Sequence, residues 1–171
     1  MKKVTKNYVN NEALLKAMKI YKAEYDKGLP PSRANYDYIG VCINLIANRM
    51  TNHPWFIGYT PAWKEEMIYD GIENCIMYIY NFDAEKFSNP FAYFTQIVYF
   101  AFRRRLEKER KQQYIKLKLT ENFFLENDLN GEIDLKVETL YDNNYEFIRQ
   151  YEKSLTDKKK KTKITGVEKF L

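Results

Sequence analysis

Between Asn89 and Lys118 the chain sets Phe91, Tyr93, Phe94, Tyr99, Phe100 and Phe102 directly ahead of Arg103, Arg104, Arg105, Lys108, Arg110, Lys111, Lys116 and Lys118. Aromatic faces stack on unpaired bases at about 1–3 kcal/mol each, and clustered Arg and Lys release counterions from phosphates. These residue types together fit a surface that binds a single strand or opens a duplex. An amphipathic helix with an aromatic core stripe and a solvated basic end has the same composition. Geometry separates the two readings. At about 100° per residue, Phe91, Phe94, Val98, Phe102 and Leu106 share one face, the natural core stripe. Tyr93, Gln96, Phe100, Arg104, Glu107 and Lys111 share the opposite face, with Arg103 on its flank. Two aromatics followed by arginines on a face where a structural helix carries polar residues favour a binding surface.

The inventory for other chemistry is thin. His53 is the one histidine, and Cys42 and Cys75 are isolated in apolar helical contexts, outside any CxxC pair. A metal site of the ordinary Cys/His type cannot be assembled from them, and a His-dependent triad has no visible partner group. There is no Gly-rich phosphate loop, so an enzyme is the least supported class and no cofactor is expected. The two cysteines read as buried, reduced thiols. No apolar run is long enough to span a bilayer, and Met-Lys-Lys is not followed by a signal-type segment. A soluble, intracellular protein with no membrane partner is expected.

The elements that must position the aromatic and basic residues read as helices. Asn10 or Asn11 can cap a first helix through Ala13, Leu14, Ala17, Met18, Tyr21 and Tyr25, ending near Gly28 and Pro30-Pro31. A second helix covers about Tyr36 to Met50, with Ile39, Cys42, Ile43, Ile46 and Ala47 inward. Thr60 and Pro61 read as N-cap and first position of a third, running to about Tyr80. Its apolar positions are Trp63, Met67, Ile68, Ile72, Cys75, Ile76 and Ile79. Asn89 and Pro90 open the fourth in the same way, and its pattern runs to about Gln113. With 171 residues and 45% apolar content, the chain can build one real core. The expected fold class is all-α, a compact helical bundle.

The net charge of +5 hides segregation. Eight basic residues between Arg103 and Lys118 face only Glu107 and Glu109. Eight acidic residues between Glu121 and Glu146 face only Lys136, and the chain turns basic again at Lys158, Lys159, Lys160, Lys161 and Lys163. Blocks of this kind suggest different partners for different segments, or solvated surface. Three regions are expected: a helical domain over 1–118, an acidic, partly helical extension over 119–153, and a flexible lysine-rich tail over 154–171. In the extension, Asn130-Gly131 reads as a turn and Asp134 to Tyr151 as a short amphipathic helix. The tail ends in Ile164, Val167, Phe170 and Leu171, which read as terminal composition or as a short motif docking in a partner's groove.

Several of these pieces occur in an ordered series. Glu66-Met-Ile-Tyr-Asp-Gly71, then eleven residues to Phe82, then Asn89-Pro-Phe-Ala-Tyr-Phe-Thr95 and the basic helix, resembles region 2 of bacterial sigma factors. With Asn7-Tyr-Val-Asn-Asn-Glu12 and Gly58-Tyr-Thr-Pro-Ala-Trp-Lys64, it looks like the late-transcription sigma factors of T-even-type phages. The resemblance covers about Tyr8 to Lys116.

The resemblance implies a role for each helix. The third would dock on the β′ clamp helices of host core RNA polymerase, through positions matching Glu66, Tyr69, Asp70, Glu73 and Ile76. Carboxylates beside an apolar patch suit a basic helical hairpin, and a solvated helix face is the plainer account of them. The fourth would recognise and melt a −10-like, AT-rich promoter element. A flipped base is held by an aromatic, and binding energy opens the duplex. Tyr93 matches the base-stacking tyrosine, and Phe100 and Arg103 match positions facing the upstream base pairs. Arg104, Arg105, Lys108 and Lys111 would carry phosphates.

The chain departs from the family at the paired tryptophans of primary sigmas, where Gln96 and Ile97 stand; Tyr93 with Phe100 or Tyr99 is left to supply the wedge. After Lys118 the sequence holds too little basic or helix-turn-helix-like character to be expected to read a −35 element. The phage late factors lack a domain for that element too, and are assisted by a sliding clamp and a coactivator. In that light Ile164, Val167, Phe170 and Leu171 resemble a clamp-binding peptide, with Ile164 where many carry Gln. The implied location is the cytoplasm of the bacterial host. The rival readings are a stand-alone DNA-binding regulator, usually a symmetric dimer, and a single-strand nucleic-acid-binding protein.

Overall fold

In the computed structural model, residues 8–128 and 144–157 are described, and among them there is no strand. Four helices follow in order: α1 (Asn11–Asp26), α2 (Arg33–Met50), α3 (Pro61–Tyr78) with a 3-10 turn over Ile79–Asn81, and α4 (Pro90–Asp128). A fifth, α5, spans 144–157. The chain divides into two compact units, Met1–Leu106 and Glu107–Leu171, so the division falls inside α4.

Capping chemistry sets the helix starts. The Asn10 side chain accepts from the backbone N–H groups of Glu12 and Ala13, satisfying two orphan donors of α1. At the other end, Gly28 adopts φ +69° and donates to the Tyr25 carbonyl, while Leu29 donates to Glu24. These are the paired bonds of a Schellman ending, and the left-handed backbone there favours glycine. Sequence signals place the start of α2 near Tyr36; the helix begins earlier, at Arg33. Ser32 follows the Pro30-Pro31 pair and turns the chain, its N–H held by the Glu24 carboxylate at 2.8 Å.

α4 is capped twice. Asn89 accepts from Ala92 N–H, and Asn11 of α1 both accepts from Phe91 N–H and donates to the Ser88 carbonyl. One side chain thus ties the first helix to the entry of the fourth. Asn11→Ala is expected to cost about 1 kcal/mol, the usual value of a lost cap, measurable as a lower urea midpoint at unchanged m-value.

The first unit's core is drawn from every helix. Leu14, Ala17, Met18 and Tyr21 of α1 meet Ile39, Cys42, Ile43, Ile46 and Ala47 of α2, and Met67 and Cys75 of α3 meet Phe94, Val98 and Phe102 of α4. Gly71 lies where α3 packs tightly on α4: a Cβ there would lie 3.1 Å from Phe102 and 3.3 Å from Val98. Burial pushes the Cys75 thiol up to about 12 and raises Cys42 as well, so both are reduced, protonated core residues. No helix among the described residues is long and apolar enough to cross a membrane.

Three expectations need correction. Ile76, placed in the α3 core stripe by periodicity, is 49% exposed. The α-helical part of α3 stops at Tyr78, short of the expected Tyr80, because the Tyr78 carbonyl accepts the Tyr93 hydroxyl at 2.7 Å and Phe82 N–H turns to Ile79. α4 does not end near Gln113 but continues to Asp128. No Gly or Pro interrupts it, and in the second unit it gains a partner in α5. Tyr114 stacks on Tyr151 at 4.7 Å and donates to Glu152, and Lys118 bridges Glu121 and Glu152.

Residues 154–157, read from sequence as the start of the tail, continue α5. Ser154 and Thr156 hydroxyls bond back to the Tyr151 and Lys153 carbonyls. The Asn130-Gly131 turn, residues 134–143 of the expected acidic helix, and the terminal residues Ile164, Val167, Phe170 and Leu171 lie outside the described residues.

Candidate nucleic-acid interface

The absence of any acidic residue between Pro90 and Leu106 makes this part of α4 a one-signed surface, ending in three arginines. Tyr93, Gln96, Tyr99, Phe100 and Arg103 recur at three- and four-residue spacing, so they form one continuous stripe. The core stripe Phe94, Val98 and Phe102 behind it is fully buried and fixes the helix's rotation.

At its N-terminal end the stripe borders a cavity of about 470 Å³, lined by Asn81, Phe82, Lys86, Phe87, Tyr93 and Gln96 among others. That volume lies within the range of ordinary small-ligand sites. Tyr93 forms one wall: its ring packs 5.2 Å from Phe82, and its hydroxyl is committed to the Tyr78 carbonyl. Helical angle alone places Tyr93 opposite the core; the structure half-buries it, because the end of α3 folds against it. Burial raises its phenol pKa, so the hydroxyl stays protonated and donating. Across the opening, Phe87 is exposed and Lys86 pairs with Asp83 at 3.2 Å. The N–H groups of Lys86 and Glu85 donate to the Asp83 carboxyl and hold it below the usual range.

Farther along, Gln96 is exposed and Tyr99 is half-buried, packed against Trp55, Phe56 and Phe100 at 5.6–5.9 Å. Phe100 is 44% exposed, and Arg103 is exposed one turn beyond. The other two arginines lean on α3. Arg104 donates to Asn74 Oδ1 at 2.6 Å, and Arg105, only 21% exposed, bridges Glu66 at 2.9 Å and Asp70 at 3.6 Å. Residues expected to carry phosphates and residues expected to bind polymerase are therefore partners of one another. Lys108 and Lys111 are exposed on the α4 segment of the second unit.

The chain matches no family profile and no curated protein.

α3 presents a second surface. Tyr69, Glu73 and Ile76 lie on one exposed stripe with Met77 beside it, and Tyr69 donates its hydroxyl to Glu65. Apolar side chains alternate with carboxylates there, while Asp70 is turned toward α4. Met77, Phe87 and Trp55 are exposed groups that no pattern in the sequence marks. Met77 follows an apolar stripe and resembles core. Phe87 and Trp55 stand in loops, where periodicity says nothing about exposure.

Proposed function

We propose that the chain is a non-catalytic transcription initiation factor of the sigma type. It binds bacterial core RNA polymerase through the α3 stripe and holds an opened promoter strand on α4. The observation that carries this reading is the pairing of two faces with opposite character. One is an acid-free stripe of aromatics and Arg103 that begins at a cavity of about 470 Å³; the other is an acidic, apolar stripe on the neighbouring helix. A single-strand-binding protein or a stand-alone DNA-binding regulator accounts for the first face and treats the second as solvated surface, whereas a polymerase-binding factor uses both.

In this reading a base leaves the stack and enters the cavity between Tyr93 and Phe87. Phe100 and Tyr99 stack on its neighbours, and Arg103, with the Lys108 and Lys111 ammonium groups, pairs with phosphates. Polymerase contact falls to Tyr69, Glu73 and Ile76, with Glu66 and Asp70 also holding Arg105. The promoters are AT-rich late promoters with a −10-like element, in the cytoplasm of a bacterial host. Ile164, Val167, Phe170 and Leu171 dock on a phage sliding clamp that stimulates initiation, alongside a late coactivator.

The test is capture of the chain by bacterial core RNA polymerase in gel filtration. Stable binding by the wild type and at least a tenfold loss for Ile76→Asp is the expected result, because that exposed position has no structural ion pair to disturb. Failure to bind polymerase, together with firm retention on single-stranded or duplex DNA, would transfer the assignment to one of the rival classes.

A further inference from the structure

Trp55 is 63% exposed in the turn between α2 and α3, with one edge of its ring against His53 at 6.1 Å and Tyr99 at 5.9 Å, and a large indole left in water is costly. Phe56 anchors that turn. It is buried, edge-on to Phe102 at 5.2 Å and to Tyr99 at 5.9 Å. The backbone is fixed by successive bonds: His53 N–H to Met50, and Phe56 and Ile57 N–H to the His53 carbonyl. Trp55 N–H reaches His53 Nδ1 at 3.4 Å, and Lys64 Nζ caps the Ile57 carbonyl from α3. The indole thus stands on a hydrogen-bonded turn, 5.9 Å from the Tyr99 ring, at the edge of the α4 stripe.

We infer that Trp55 is a nucleobase-stacking platform that extends the α4 surface beyond the helix itself. An unpaired base of a DNA strand seats on the indole beside Tyr99 and Phe100, with its backbone toward Arg103. This rests on the reading of α4 as a nucleic-acid face. Charge selects the occupant: neither the turn over 51–60 nor α4 up to Leu106 contains an Asp or Glu, and Arg103 lies one turn past Tyr99 and Phe100. A polyanion with exposed aromatic faces is complementary to that surface. The indole's large π-face makes it a sequence-tolerant stacking partner.

The chain has two tryptophans, so Trp63→Phe leaves Trp55 as the single indole reporter. Titrating that full-length variant with an AT-rich single-stranded DNA oligonucleotide at low salt should quench Trp55 emission saturably. In the otherwise wild-type chain, Trp55→Ala should raise the oligonucleotide Kd about tenfold, by labelled-DNA anisotropy, with the thermal midpoint unchanged. Trp55→Phe should recover most of the affinity. Oligonucleotide binding with unaltered Trp55 emission, and an unaltered Kd in Trp55→Ala, would overturn the inference and leave the α4 reading standing. A Trp55→Ala defect confined to polymerase capture would overturn it in favour of a protein contact. A wild-type chain that binds no oligonucleotide, alone or with core polymerase, would overturn both.

Discussion

Gly71→Val is expected to destabilise the first unit by about 2–3 kcal/mol, the typical cost of overpacking a close-packed core. The Cβ it adds would meet Phe102 at 3.1 Å and Val98 at 3.3 Å, and both side chains are fully buried. Two further methyl-sized atoms on that Cβ can only be placed by moving α4 away from α3. On a unit of this size the loss corresponds to a fall of roughly 10–15 °C in thermal midpoint, read by circular dichroism. Gly71→Ala is the control. Its clash is a few tenths of an ångström, and a gain of up to about 1 kcal/mol in helix propensity offsets it, so a nearly unchanged midpoint is expected. A valine variant as stable as the wild type would mean that the helices are not locked at this crossing. The same crossing brings Arg105 to Glu66 and Asp70, so its displacement should also free that arginine.

Local signals made the helix starts legible. Thr60-Pro61 and Asn89-Pro90 each open a helix with a proline that lacks the N–H a first helical position leaves unsatisfied anyway, and α3 and α4 begin there, although only Asn89 makes a side-chain capping bond, the Thr60 hydroxyl making none. Gly28 announces the end of α1 for an equally local reason. What the sequence hid depends on residues far apart in the chain. Arg105 looks like a phosphate ligand when read beside Arg103 and Arg104. Its partners Glu66 and Asp70 lie on another helix, and they meet it where α3 packs on α4 beside Gly71. Tyr93 reads as exposed by helical angle, yet the end of α3 covers it. Trp55 carries no periodic signal at all, since its position is set by Phe56 inserting between Tyr99 and Phe102. The extent of α4 escaped for a related reason. Beyond Gln113 its support comes from α5, whose Tyr151 and Glu152 pair with Tyr114.

These placements decide which aromatic gives the clean functional test. Tyr93→Ala would remove a candidate base partner together with a structural bond to Tyr78 and a packing contact with Phe82, so a loss of activity there has two explanations. Phe100 has a partly exposed ring whose contact is an edge-on approach to Tyr99, and it lies outside the buried core. Phe100→Ala should therefore leave the thermal midpoint within about 2 °C, as expected of a substitution worth under about 0.5 kcal/mol at the surface. If the ring stacks on a base only once the strand is unpaired, its loss falls on the open state. At about 1–3 kcal/mol per stacked base, promoter opening by the polymerase complex should drop roughly 5- to 150-fold, scored by permanganate reactivity of unpaired thymines. Capture of the chain by polymerase should be unchanged, because that contact is assigned to α3. An opening defect that survives on a promoter carrying a pre-melted bubble would move Phe100 from strand separation to holding the separated strand. Normal opening would remove Phe100 from the interface altogether.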